Sequence, residues 1–205
     1  MKKKTIIHIT GPTASGKTDL SIKLSQIFNT DIVSYDSRQF YKQMKIGTSV
    51  PNSEQLKKVK HYFIHNKNIT DYYNVGIYRS EANEVINKLF QNKNFLVFVG
   101  GSGLYGDSII FGLDNFPEVP KKIRDNLTKE LKHKGIEFLQ EKLKKADTEY
   151  YKRVDIYNHR RLIRALEVIE TTGKKFSSFH KLKKSNKNFN LITLNIDYEK
   201  NILYE

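Results

Sequence analysis

The stretch TIIHITGPTASGKT, residues 5–18, decides the fold. An apolar run carrying Ile6, Ile7 and Ile9 feeds a loop of the form G-x-x-x-x-G-K-T, and Leu20, Ile22, Leu24, Ile27 and Phe28 after it fit one side of a helix. Strand, glycine loop and helix in this order make a P-loop. Gly11 and Gly16 let the chain close around an anion, with loop N–H groups turned inward and the positive end of the helix behind them. Gly11, Pro12, Thr13, Ala14, Ser15, Gly16, Lys17 and Thr18 are therefore the expected cradle of a diphosphate or polyphosphate. Lys17 adds a point charge on the terminal phosphate, and the Thr18 hydroxyl suits the shell of a Mg2+ ion bridging phosphate oxygens.

Downstream, residues 31–35 (DIVSY) read as a second strand ending at Asp36. Residues 80–91 place Ala82, Val85, Ile86, Leu89 and Phe90 at helical spacing, and residues 95–99 form a continuous apolar strand closed by Gly100, Gly101, Ser102 and Gly103. This βαβ order predicts an α/β fold, a P-loop NTPase-like parallel sheet with helices on both faces. Pro117 and Pro120 break the pattern, and residues 121–172 then read as charged helices. Residues 173–188 are loop-like, strand character returns over 189–196, and Asp197 is a candidate helix cap. The expected organisation is a core over 1–116, a basic helical insertion over 117–188 and a return to the core over 189–205.

The 205 residues include no cysteine, which excludes disulfides and thiolate metal sites. Nothing resembles a signal peptide or a membrane-spanning run, so a cytoplasmic protein with no membrane partner, monomeric, is expected. The net charge of +14 is unevenly spread: residues 117–190 hold 20 Lys and Arg against 10 Asp and Glu. A field of that sign attracts nucleic acid or an anionic surface, whereas a lysine-rich solvated face is the plainer reading.

Three further clusters carry chemistry. Asp36, Ser37, Arg38 and Gln39 lie where the second strand meets the ligand edge of an open α/β sheet, so Asp36 is a general base, a magnesium ligand or a turn cap. The glycines at 100–103 allow close approach of backbone to a ligand, at the place where a kinase or ATPase often has an acidic metal ligand. On the helix after Asn158, Arg160 and Arg164 share a face bordered by Arg161, opposite Leu162, Leu166 and Ile169. Such guanidinium stripes suit RNA phosphates; surface ion pairing with Glu167 is the alternative.

Together these blocks resemble the tRNA dimethylallyltransferase (tRNA isopentenyltransferase) family: GPTASGKT at 11–18, DSRQFYKQMKIGT at 36–48, GGSGLY at 100–105 and RRLIRALEV at 160–168. The resemblance implies transfer of a dimethylallyl group from dimethylallyl diphosphate to N6 of adenosine 37, in the tRNA anticodon stem-loop. It implies that Asp36 is the general base, that Ser37, Arg38 and Gln39 line the adenosine, and that the P-loop holds diphosphate with Lys17 and Mg2+ at Thr18. Ser102 stands where the family usually has threonine, and Arg38 where a smaller or apolar residue is common. Arg124 matches a basic position contacting tRNA near the leaving diphosphate, and Arg160, Arg161, Leu162, Ile163 and Arg164 match another tRNA-contacting block. Family members commonly extend beyond the position of Glu205, so a C-terminally truncated chain is expected. The competing readings are an adenylate isopentenyltransferase, a P-loop kinase using ATP on a small metabolite, and an RNA-binding fragment without activity.

Overall fold

The computed structural model describes residues 4–114, 116–180 and 188–197. Its contacts divide the chain into two units, Met1–Leu113 with Lys184–Glu205, and Asp114–Lys183.

The first unit is a five-stranded sheet in the order β3-β2-β4-β1-β5, with every strand pairing parallel. The strands are β1 (Thr5–Thr10), β2 (Ile32–Ser34), β3 (His61–Tyr62), β4 (Phe95–Val99) and β5 (Asn190–Asn195). Parallel strands need crossovers, and α1 (Lys17–Ile27), α2 (Ser53–Lys58), α3 (Val75–Asn92) and α4 (Gly103–Ile110) supply them. The inner strands are covered on both faces, which is why Ile6, Ile9, Ile32, Val33, Leu96, Val97 and Phe98 are all buried without alternation. One cluster packs Phe40, Tyr78, Phe63 and Ile109 against one face of the sheet; another packs Ile22 and Val59 against Ile9, Ile32 and Val97.

The α1 helix keeps Leu20, Ile22 and Leu24 of the expected face toward the core and departs from it at Ile27 and Phe28. Its buried positions are Ser21, Ile22 and Ser25, while Ile27 is 73% exposed and exposed Phe28 has its ring centroid 4.6 Å from that of Phe95. Small hydroxyl residues let the helix lie close to the sheet, and Leu20 and Leu24 flank the contact half-buried. The α3 helix starts earlier than its apolar period suggests, because the Asn74 side chain caps it by accepting from Ile77 N at 3.0 Å. Three elements are not marked in the sequence reading: α2, opened by a capping box between Asn52 and Gln55, the two-residue strand β3, and α4 after the glycine turn.

The second unit is helical. It comprises α5 (Lys121–Ala146), interrupted at Gly135 where φ is 79°, then α6 (Thr148–Tyr151), α7 (His159–Thr172) and a 3₁₀ turn at Phe176–Phe179. That turn lies within the expected loop; residues 181–187, and those beyond Asp197 that its capping role concerns, lie outside the described residues. Leu127, Leu139 and Leu143 of α5 pack against Leu162, Ala165, Leu166 and Val168 of α7. Buried Asp147 ties the turn down, accepting from Ser177 N at 2.7 Å, Ser177 Oγ at 3.0 Å and Tyr150 N at 3.0 Å. Burial opposes charge on this carboxyl, but those hydrogen bonds prevail and hold it below the ordinary carboxylate range.

Candidate active site

A cavity of about 530 Å³ opens at the carboxyl edge of the sheet in the first unit, the ligand-binding edge of such folds. The P-loop forms one wall. Gly16 adopts φ 78° just before α1, and among the described residues no side chain caps this helix, so its first N–H groups remain available to an anion. Gly11 sits at φ 147°, where a Cβ would lie 2.6 Å from the Ile196 carbonyl oxygen. Ile196 N in turn donates to Thr10 O at 2.8 Å, so the end of β5 braces the entry to the loop. Lys17 Nζ donates to the carbonyl oxygens of Gly11, at 2.9 Å, and Pro12. Burial lowers the pKa of this ammonium, and the negative charge of Asp36 works the other way.

Asp36 forms the facing wall, immediately after β2. Its Oδ1 accepts from Arg38 N at 3.1 Å, the turn-capping bond that Asp-Ser suggests, yet among the described residues its Oδ2 accepts no hydrogen bond. The glycine turn after β4 lies directly on this strand end. A Cβ on Gly100 would stand 2.6 Å from Tyr35 C and 2.8 Å from Asp36 N; one on Gly101 would stand 3.0 Å from Asp36 Oδ2. At Gly100, where the neighbours are backbone atoms, only glycine permits that approach. Ser102 then locks the two segments together, its Oγ accepting from Ser37 N at 2.9 Å and lying 2.8 Å from Ser37 Oγ.

Beneath this wall, Tyr35 joins the Asp36 segment to the strand that leads into the P-loop. Its hydroxyl donates to Ile9 O at 3.1 Å and lies 2.9 Å from His8 Nε2. Burial raises its pKa strongly, so it stays a phenol donor. Gln39 secures the outer rim, donating from Nε2 to Thr48 O at 3.1 Å and Ser49 O at 2.9 Å, while exposed Arg38 lines the opening.

The family model described as IPP transferase matches residues 39–205. The chain belongs to the IPP transferase family. Among curated relatives of this IPP transferase family member, the tRNA dimethylallyltransferase of Christiangramia forsetii is 48% identical over 200 residues, covering 98% of the chain and 66% of the relative. That of Flavobacterium johnsoniae is 46% identical over 207 residues, covering 98% and 67%. The chain thus spans about two thirds of the length of these relatives. Among solved structures, a tRNA isopentenylpyrophosphate transferase from Staphylococcus epidermidis superposes with a TM-score of 0.60 at 31% identity, covering 98% of this chain and 66% of that one. A eukaryotic dimethylallyltransferase acting on tRNA superposes with a TM-score of 0.77 at 25% identity, covering 96% of this chain and 49% of that one.

In this family member, Thr13 to Thr18 of the P-loop, Asp36, Ser37, Arg38, Gln39 and Ser102 line one cavity, while Gly11 and Pro12 do not line it and instead accept from Lys17 Nζ. The cavity also recruits residues the sequence reading left out: Ser34, Ser49, Pro51, His61 and Ile64. His61 Nδ1 lies 2.8 Å from Val59 O, so that nitrogen carries the proton, and burial lowers the ring's pKa against the effect of this bond. A neutral His in a His-Tyr-Phe-Ile-His run carries no spacing signal that would have singled it out.

The remaining expected site residues lie in the second unit. Arg160 and Arg161 are exposed on α7, as the helical projection requires. Leu162 and Ile163 are 0% and 8% exposed and pack in the core between α5 and α7, with Ile163 also reaching the floor of a cleft beside α7. The apolar stripe of an amphipathic helix packs inward, and a contact block taken whole overrides that period. Arg124 and Arg164 both bind Glu167, which is 0% exposed rather than a surface partner.

Proposed function

We propose that this chain uses its P-loop cavity to hold dimethylallyl diphosphate and transfers the dimethylallyl group to N6 of adenosine 37 in tRNA. The observation that carries the reading is the glycine-permitted contact that puts a carboxylate, Asp36, on the same cavity as the phosphate loop. The cavity volume of about 530 Å³ lies in the range of small-ligand sites.

The loop N–H groups and Lys17 would receive the diphosphate, with Lys17 exchanging its carbonyl acceptors for phosphate oxygens. The N6 nitrogen attacks C1 of the allylic group, the C1–O bond breaks, its electron pair leaves with diphosphate, and the amine proton passes to Asp36. An adenine amine is a weak nucleophile because its lone pair is delocalised, so a placed carboxylate assists as the C–N bond forms. Negative charge gathers on the leaving group, and Lys17 and the loop amides lie where that charge develops. Ser37, held by Ser102, together with Arg38 and Gln39, would orient the purine.

Among the described residues no cluster of His, Asp and Glu builds a resident metal site. The hydroxyl of Thr18 beside the phosphate cradle nonetheless fits a magnesium ion held mainly by diphosphate and water oxygens. Such an ion supplies charge neutralisation to the leaving group. The basic second unit, with Arg160 and Arg161 exposed on α7, would grip tRNA.

The test is incubation with dimethylallyl diphosphate, magnesium and unmodified tRNA, followed by mass analysis of digested nucleosides. The reading predicts adenosine heavier by one dimethylallyl group at one position. ATP consumption with a phosphorylated product would replace it with the kinase reading.

A further inference from the structure

The second unit contains its own cleft, about 480 Å³, lined by Arg124, Lys132, His159, Arg160 and Arg164 over a floor that includes Leu131 and Ile163. Behind this cleft lies Glu167. Its Oε2 accepts from Arg124 Nε at 2.7 Å, and its Oε1 accepts from Arg124 Nη2 at 2.7 Å and from Arg164 Nη1 at 2.6 Å. Arg164 is pinned from another side by the ring of Phe116, 5.2 Å from its guanidinium carbon.

A carboxylate removed from water is costly unless its charge and lone pairs are met, and here both oxygens receive short charge-assisted bonds. The same three bonds fix two guanidinium planes that would otherwise repel and move. Arg124 and Arg164 line the cleft together with Lys132 and Arg160, four basic side chains on one surface.

Resting on the tRNA reading above, we propose that Glu167 is a positioning residue: it holds Arg124 and Arg164 as a rigid fork that receives an RNA phosphodiester in this cleft, so that tRNA is distinguished from RNA of other shape. Phosphate contacts set the register of a protein on its nucleic acid, and a fixed fork reads backbone geometry where mobile lysines read only charge.

The proposal opposes simple electrostatics. Glu167→Gln removes a negative charge, so a charge-only account predicts tighter binding of every RNA. Positioning predicts the reverse for tRNA. The experiment measures dissociation constants of the 205-residue chain, wild type, Glu167→Gln and Glu167→Asp, for unmodified tRNA and for oligouridine at two salt concentrations.

The expected result is about tenfold weaker tRNA binding by Glu167→Gln, the scale of one lost charge-assisted contact, with oligouridine binding unchanged or tighter. Glu167→Asp keeps the charge but retracts it by one methylene; it should lose part of the tRNA preference, and it carries the test if the glutamine variant does not fold. A parallel loss for both RNAs in folded variants overturns the proposal. So does an undiminished tRNA preference in both variants. A wild-type chain without preference for tRNA defeats the tRNA reading itself, which separates the two failures.

Discussion

Gly100→Ala is the substitution whose effect the geometry determines most closely. The new Cβ would lie 2.6 Å from the Tyr35 carbonyl carbon, 2.7 Å from Tyr35 Cδ2 and 2.8 Å from Asp36 N. Ordinary van der Waals contact begins at 3.4 Å, so the glycine turn and the Asp36 strand end must separate by about 0.8 Å. The obstacle is backbone and cannot rotate away. Overpacking of this kind costs about 1–3 kcal/mol of stability, and misplacement of a reacting group by ~1 Å lowers turnover about 10²-fold. The assay is single-turnover prenylation of tRNA at saturating donor, beside donor affinity and a thermal melt. We expect the rate to fall between ~10- and ~10²-fold while donor affinity, set by the P-loop, changes by less than about threefold. Gly103→Ala is the internal control, since a Cβ there meets nothing within 4 Å and helix propensity favours alanine. If Gly100→Ala turned over at the Gly103→Ala rate in a folded protein, the claim that this contact positions Asp36 would be refuted.

Asp36→Asn should keep donor and tRNA affinities and lose about 10²–10⁴-fold in turnover, read by the same assay; undiminished turnover removes Asp36 from the base role. Ser102→Ala breaks both links to Ser37, for a loss of ~1 kcal/mol each, and turnover should drop about tenfold, with Ser102→Thr restoring most of it. The carboxyls of Glu167 and Asp147 are held below their ordinary values by hydrogen bonds that outweigh burial. Their contribution to stability is full above the unfolded carboxylate pKa and disappears as pH falls through the lower folded values. Thermal melts between pH 7 and pH 3 should therefore show the helical unit losing stability on the acid side, and Glu167→Gln should flatten that slope.

Much of the core fold is legible in local pattern, because a fully buried parallel strand and a glycine loop each leave a short-range mark. Ile6 to Ile9 and Phe95 to Val99 are examples, and the convergence of the P-loop, Asp36 and Ser102 follows once the sheet is parallel. On α1, Leu20, Ile22 and Leu24 face the core as their spacing predicts, whereas Ile27 and Phe28 stay exposed and Ser21 and Ser25 bury by closeness to the sheet rather than by hydrophobicity. The capping box at Asn52 and Gln55 was present to be read; the two-residue β3 carries too little period to show. What local pattern cannot carry is tertiary approach. Gly100 and Gly101 look like any turn until Asp36 lies against them, and Glu167 looks like a surface ion-pair partner until its helix packs. Leu162 shows the converse: its helical period already marks it as core, where the structure buries it, although it stands inside the family contact block.

The function turns on which ligand the P-loop cavity takes and which way that ligand points. A crystal structure with a non-reactive thiolo analogue of dimethylallyl diphosphate and magnesium measures this directly. Diphosphate oxygens are expected on the loop N–H groups and Lys17, with the allylic carbon directed toward Asp36. An analogue bound outside the loop, or with its allylic end turned away from Asp36, would contradict the proposed function.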